Sequence, residues 1–222
     1  MRVGIVTFPG TNCEQDCERA FAVLGADPVR VWHGDTALPD VDVVVLPGGF
    51  AHGDYLRTGA LARFSPVMAA VRAHADAGGS VIGICNGFQV LCEAGMLPGA
   101  LRKNAGLKFR CKWVELEVEN ASTRFTSRAR AGQILRIPIN HFEGNYYCDE
   151  DTLEAMRANG QVILRYVENP NGSLDDIAGI CNSSGTVFGL MPHPERACEA
   201  LLGSTDGAVI FESILENVRV SA

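Results

Sequence analysis

No apolar run reaches the roughly 18 residues that a membrane-crossing helix needs, so no such span is expected. Basic residues are outnumbered, 19 against 26 acidic, and the net charge of −7 comes without any dense Lys/Arg stripe. That balance gives a nucleic acid nothing to grip. A glycine-rich phosphate loop with its lysine is missing, so this chain is not expected to hold ATP and its magnesium. No second Cys/His pair with zinc-like spacing follows Cys13 and Cys17, which therefore read as packing residues on a helix, and no metal is expected. The opening Met1-Arg2-Val3-Gly4-Ile5-Val6 enters a strand directly and offers no cleavage region, so no export signal is expected. Without one, the eight scattered cysteines read as reduced thiols of a cytoplasmic protein.

Hydrophobic content of 47% against 20% charged residues excludes a disordered chain. With 222 residues and no linker, repeat or low-complexity stretch, one domain over 1–222 is expected, large enough for a full core. Its organising stretch is Ser80–Met96. The apolar Val81-Ile82-Gly83-Ile84 has strand character, and Phe88, Leu91 and Cys92 then follow at helical spacing. The junction Gly83-Ile84-Cys85-Asn86-Gly87 is a Gly-x-nucleophile-x-Gly elbow with cysteine in the serine position. Glycines two positions either side remove Cβ atoms that would block so abrupt a bend. A thiol there meets a helix N-terminus, whose partial positive charge suits an attacking sulfur. By itself the stretch also fits a buried cysteine between packing glycines.

Strands and helices alternate through the first half. Residues 2–8 read as a strand, and Thr11 with Glu14 makes a capping-box signature for a helix through Leu24. Strands at 28–32 and 41–46 and a helix over 65–77 precede the elbow. Beyond Gly106 the strands 113–118, 133–139 and 161–167 follow, then a hairpin of 177–181 with 187–191 and a last helix over 207–218. This rhythm predicts an α/β fold of three layers: a mostly parallel, mixed, open sheet flanked by helices, with sites at the carboxyl ends of strands.

Two further strand ends can meet the elbow. Pro47-Gly48-Gly49-Phe50 leaves backbone N–H groups uncovered, suited to a developing oxyanion, and Asn86 N–H is the natural second donor. Met191-Pro192-His193-Pro194-Glu195 places two residues before prolines, which favours extended backbone. His193 and Glu195 then share a side, so the carboxylate can fix the imidazole tautomer while the other ring nitrogen serves Cys85. Alone, the first stretch reads as a strand-to-loop turn and the second as a solvated surface turn; together with the elbow, coincidence is far harder to sustain.

These segments, with PGGFAHGDYLRTGA at 47–60, GICNGFQVLCEAGMLPGAL at 83–101, IPINHFEGNYY at 137–147, DIAGICN at 176–182 and GLMPHPERA at 189–197, resemble a class I glutamine amidotransferase. FAHGDYLRTGA and NHFEGNYY bring the resemblance closer to the glutaminase subunits that serve an amidine-forming synthase of purine biosynthesis. It implies a fold of that class and hydrolysis of L-glutamine through a γ-glutamyl thioester on Cys85. His193 would be general base then acid, and Glu195 its orienting partner. The same resemblance assigns Gly49, Phe50 and Asn86 to the oxyanion hole, and Gly48, Gln89, Asn140, His141 and Phe142 to glutamine. Phe142 stands where many relatives have glycine. His141 is expected to shape the substrate loop and His52 to line the site, with His33 and His74 as ordinary surface positions; Asp54, Tyr55 and Arg57 could face ligand or partner. The expected partners are a large ATP-dependent synthase subunit, which makes formylglycinamidine ribonucleotide and carries the ATP and magnesium, and a small bridging subunit.

Other readings remain. A cysteine peptidase or glyoxalase-like hydrolase can use a similar elbow but lacks a His-Pro-Glu arrangement. A glutaminase for another acceptor would keep the triad and differ around 50–60 and 140–147. A non-catalytic relative would be free to lose Cys85, His193 or Glu195.

Overall fold

The computed structural model describes residues 1–221. In chain order it comprises β1 (Arg2–Thr7), α1 (Glu14–Val23), β2 (Asp27–Trp32), β3 (Val43–Leu46), α2 (Val67–Asp76), β4 (Ser80–Ile84), α3 (Asn86–Glu93), β5 (Ala100–Arg102) and β6 (Arg110–Val118). Then come β7 (Ile134–His141), β8 (Asn145–Tyr147), α4 (Glu150–Ala158), β9 (Val162–Tyr166), β10 (Ile177–Cys181), β11 (Val187–Leu190) and α5 (Ala208–Ser221). Nine of these strands among the described residues form one sheet in the order β2-β1-β3-β4-β11-β10-β9-β6-β7. Pairing is parallel from β2 to β11 and antiparallel from there to β7. β5 and β8 make a separate two-stranded ladder.

Sequence texture tracks this change of pairing. β3 (VVVL) and β4 (SVIGI) are buried at every position, as parallel strands covered on both faces must be. β6 instead alternates, with Val114, Leu116 and Val118 buried and Glu115 and Glu117 exposed, as in a sheet with one wet face. The switch strand β11 pairs parallel with β4 on one side and antiparallel with β10 on the other.

Glycines at the centre let α3 press onto the sheet. Gly83 and Gly189 are register partners; a Cβ on Gly83 would lie 2.5 Å from a Leu91 methyl, and one on Gly189 2.2 Å from the Phe88 ring. Further along α1, Phe21 packs its ring 4.4 Å from that of Phe211, bringing α5 to it. Ile210, Ile214 and Leu215 of the expected apolar stripe of the last helix are buried, and Val209 is half-buried. No helix among the described residues is long and apolar enough to cross a membrane.

Three local expectations need correction. Thr11 does not cap α1: its hydroxyl accepts from the Phe8 N–H at 2.9 Å, closing a turn, and the helix starts only at Glu14. A hydroxyl three residues before a glutamate can serve either bond, and the turn off β1 claims it first. α4, absent from the sequence reading, has a clear signal, since the Asp149 carboxylate accepts from Thr152 N–H at 2.8 Å. The extended run through Glu195 ends at His193, and Pro194–Arg196 form a 3-10 turn because proline suits the first turn of a helix.

Candidate active site

The ends of β1, β3, β4 and β11 converge on one cavity of about 230 Å³. Cys85 sits between β4 and α3 at φ 51°, ψ −104°, a conformation that L-residues rarely adopt. Its N–H is tied to the Leu190 carbonyl at 2.8 Å, so β11 holds the bend. Gly87 makes it possible: a Cβ there would fall 1.9 Å from the Leu46 carbonyl oxygen, which is fixed at the end of β3. Gly87→Ala is therefore expected to destabilise the fold by about 3 kcal/mol or more, the upper range of core overpacking, read as a fall in the urea midpoint at unchanged slope. A variant as stable as the parent would show that α3 can back away from β3.

Beyond β11, His193 donates its backbone N–H to the Pro138 carbonyl at 2.8 Å, and its Nδ1–H donates to Glu195 Oε1 at 2.6 Å. Both side chains are at most 2% exposed. Burial opposes the imidazolium, but the Glu195 carboxylate and the Cys85 sulfur outweigh it, so the His193 pKa is raised well above the ordinary value. His193 Nε2 and Glu195 Oε2 find no hydrogen-bond partner among the described residues. Gly48 ties the three segments together. A Cβ at that position would stand 2.8 Å from His193 Cε1, 3.1 Å from Cys13 Sγ and 3.5 Å from Cys85 Cβ.

The cavity is lined by Cys85, His193, Gly49, Phe50, Gln89, Asn140, His141 and Phe142 of the residues singled out in the sequence. The Asn140 carbonyl accepts a 3.7 Å contact from the Cys85 thiol. Gln89 is engaged internally, donating to the Glu143 carbonyl at 2.5 Å and accepting from Asn86 Nδ2 at 2.9 Å. The Asn86 side chain also accepts from Ala51 N–H at 3.0 Å, fastening the glycine loop to α3.

Phe50 departs from its expected role as an oxyanion donor. Its N–H is already donated to the Gly10 carbonyl at 2.8 Å, because residues 10–12 and 48–50 lie side by side as short extended segments. The Gly49 and Asn86 N–H groups donate to no carbonyl among the described residues. His141 is buried with its pKa lowered to about 3 by burial and by neighbouring His193, and its Nδ1 pairs with Asn104 Oδ1 at 3.1 Å. Asn104 also donates to the His141 carbonyl and accepts from Gly144 N–H, so it organises this loop; the sequence reading missed it.

His52 lies outside the cavity, its ring 3.4 Å from Ser65 Oγ and stacked edge-on to His33. His33 and His74 are half-buried rather than ordinary surface positions, and burial lowers the pKa of each. Asp54 enters the cavity, where burial and the Glu143 carboxylate raise its pKa to about 6. Tyr55 points to solvent and Arg57 pairs with Glu93 at 2.6 Å. Cys17 is packed in the core as expected, but Cys13 is not mere packing: it lines the cavity and accepts from Arg196 Nη2 at 3.1 Å.

Residues 1–208 match the family model of the CobB/CobQ-like glutamine amidotransferase domain. A phosphoribosylformylglycinamidine synthase subunit PurQ from Rubrobacter xylanophilus is 53% identical over 99% of this chain and 100% of its own. One from Lacticaseibacillus paracasei is 56% identical over 99% and 96%. Among solved structures, PurLQS from Thermotoga maritima contains a chain that superposes with a TM-score of 0.91 at 46% identity, covering 98% of each. A second Thermotoga maritima structure, a glutamine amidotransferase, shares the fold at 16% identity and a TM-score of 0.64. By full-length identity above one half as well as by its domain, the chain belongs to the glutamine amidotransferases, in the family of PurQ glutaminase subunits of phosphoribosylformylglycinamidine synthase.

Proposed function

We propose that the glutaminase step runs through Cys85, His193 and Glu195, and that the ammonia is delivered to a larger ATP-dependent subunit. The Cys85 sulfur attacks the side-chain amide carbon of L-glutamine, and the carbonyl oxygen takes up negative charge. The uncommitted N–H groups of Gly49 and Asn86 are the donors available to it; removing one such donor typically costs roughly 100- to 1,000-fold in rate. His193 Nε2 takes the Cys85 thiol proton as the C–S bond forms and, raised in pKa and so able to carry it, gives it to the departing nitrogen as the C–N bond breaks and ammonia leaves. Water then attacks the thioester with His193 as base, the C–S bond breaks and glutamate departs. Glu195 holds Nδ1 throughout and offsets the charge that the ring acquires.

The observation carrying this reading is the meeting at Gly48, where the imidazole edge, the elbow residue and the glycine loop come within van der Waals reach of one point. Gln89, Asn140, His141 and Phe142 then bound the space for glutamine, His141 as a neutral shaping group, while Gly48, expected among them, lies behind the lining and packs against His193 and Cys13. The relatives' name, a synthase subunit, and the PurLQS assembly of the Thermotoga maritima neighbour support a heteromer. In it the large subunit holds ATP and magnesium, a small subunit bridges, and this chain carries no cofactor of its own. The cytoplasm is the proposed location.

A glutamine-mimicking diazoketone tests the reading. Mass spectrometry of the labelled, digested protein is expected to place a single adduct on Cys85. An adduct on Cys13, which lines the same cavity, or none at all, would overturn the assignment.

A further inference from the structure

We propose that Cys13 Sγ, Cys85 Sγ and His193 Nε2 form a latent site for a soft divalent cation of the zinc–cadmium class, with Glu195 as the carboxylate behind the imidazole. Thiolate and imidazole ligands favour such ions over magnesium or calcium. Metal–sulfur bonds of about 2.3 Å and metal–nitrogen bonds of about 2.0 Å require ligand atoms that nearly touch. Cys13 Sγ, a His193 ring nitrogen and a Glu195 oxygen already lie within 4.8 Å of one another, all three residues buried. Glu195 Oε1 is bonded to Nδ1, so Nε2 is the nitrogen left for a metal, and it has no partner among the described residues at 1% residue exposure. This is the carboxylate–histidine arrangement that orients metal-binding imidazoles elsewhere. The second sulfur belongs to Cys85, whose Cβ lies 3.5 Å from the point beside Gly48 that is 2.8 Å from His193 Cε1 and 3.1 Å from Cys13 Sγ. Gly48 presents no side chain to the space between them.

One group opposes filling. Arg196 Nη2 donates to Cys13 Sγ at 3.1 Å, and a cation must displace it. Its side chain is 34% exposed and paired at 3.2 Å with Asp16, so it has somewhere to go. Both thiol protons and any proton on Nε2 are released to solvent as the ion binds. A fourth position, toward the open cavity, is left for water. Resting on the glutaminase reading above, a filled site occupies nucleophile and base together, so the consequence is reversible shut-off of glutamine hydrolysis by zinc.

The test uses the full chain, reduced and stripped with chelator, titrated with Cd²⁺ while the sulfur-to-cadmium charge-transfer absorption is followed, then competed with Zn²⁺. Saturation at one tight equivalent is expected in the parent and in Cys111→Ser, whose thiol is exposed on β6. Cys13→Ser and Cys85→Ser are each expected to weaken it by more than the roughly 100-fold that losing an outer partner can cost. An unchanged titration in Cys13→Ser overturns the site, as does a parent that binds no Cd²⁺ more tightly than that variant. Should Cys13→Ser fail to fold, alkylation of the parent decides: Zn²⁺ is expected to protect Cys13 and Cys85 together, and protection of neither, or of one alone, overturns the proposal. The diazoketone keeps the two readings apart. Normal labelling of metal-free Cys85 without tight Cd²⁺ binding removes the metal site alone, whereas tight binding without labelling removes the glutaminase assignment alone.

Discussion

Replacing Cys85 with alanine is expected to abolish glutamine-dependent amidine formation by the assembled synthase while leaving the reaction driven by added ammonium salts at the parental rate. In the proposed mechanism the elbow sulfur makes ammonia and does not consume it, so only one of the two nitrogen sources depends on it. Losing a nucleophile that acts as a unit with its base costs on the order of 10⁶-fold, below the floor of most assays. The fold should survive. Alanine keeps the Cβ and meets the same steric cost at φ 51°, and it gives up the 3.7 Å contact to the Asn140 carbonyl. A stability change within about 1 kcal/mol is expected, as for substitutions that leave neither a large void nor a buried polar orphan. Persistent glutamine-dependent turnover would remove Cys85 from the mechanism, and joint loss of both activities would mean that the residue holds the assembly together instead.

The elbow is legible in the sequence because its steric requirement is written locally: a strand, a strained residue and glycines at either side must appear within five positions. The same holds for the apolar runs of β3 and β4, whose burial on two faces leaves no room for alternation. His193 and Glu195 are legible for a similar reason, since two residues apart they share a side both in extended chain and in the tight turn that actually forms.

What escapes sequence reading depends on contacts between distant segments. Cys13 and Cys17, four apart, look like one helical face. Cys13 instead caps α1 at the cavity, because the N–H groups of Asn12 and Cys13 both donate to the Gly48 carbonyl at 3.1 Å. The same pairing of the 10–12 and 48–50 segments takes the Phe50 amide out of the oxyanion set. Asn104 reaches His141 across 37 residues, and nothing local marks it. Thr11 shows the converse failure, in which a sound local signature loses to a competing turn bond.

Glu195→Gln is expected to lower glutamine-dependent turnover by about 10³- to 10⁴-fold, the range set by removing the orienting carboxylate of a nucleophile–histidine–acid triad. Ammonium-dependent turnover should again be untouched. The amide has nearly the same shape, and Glu195 is buried within the turn after β11, so packing changes little. What changes is charge and hydrogen-bond polarity. The carboxylate is the leading influence holding the His193 pKa up against burial, and without it the ring's titration midpoint must fall. An amide can also present its NH₂ to Nδ1, which places the ring proton on Nε2 and leaves no lone pair facing Cys85. The imidazole nitrogen resonances report both effects: a midpoint moved to lower pH and a changed tautomer in the neutral form. Equal loss of activity with an unmoved midpoint would make Glu195 a packing residue. A variant that retains parental glutaminase activity would show that the 2.6 Å bond to Nδ1 has no part in positioning the base.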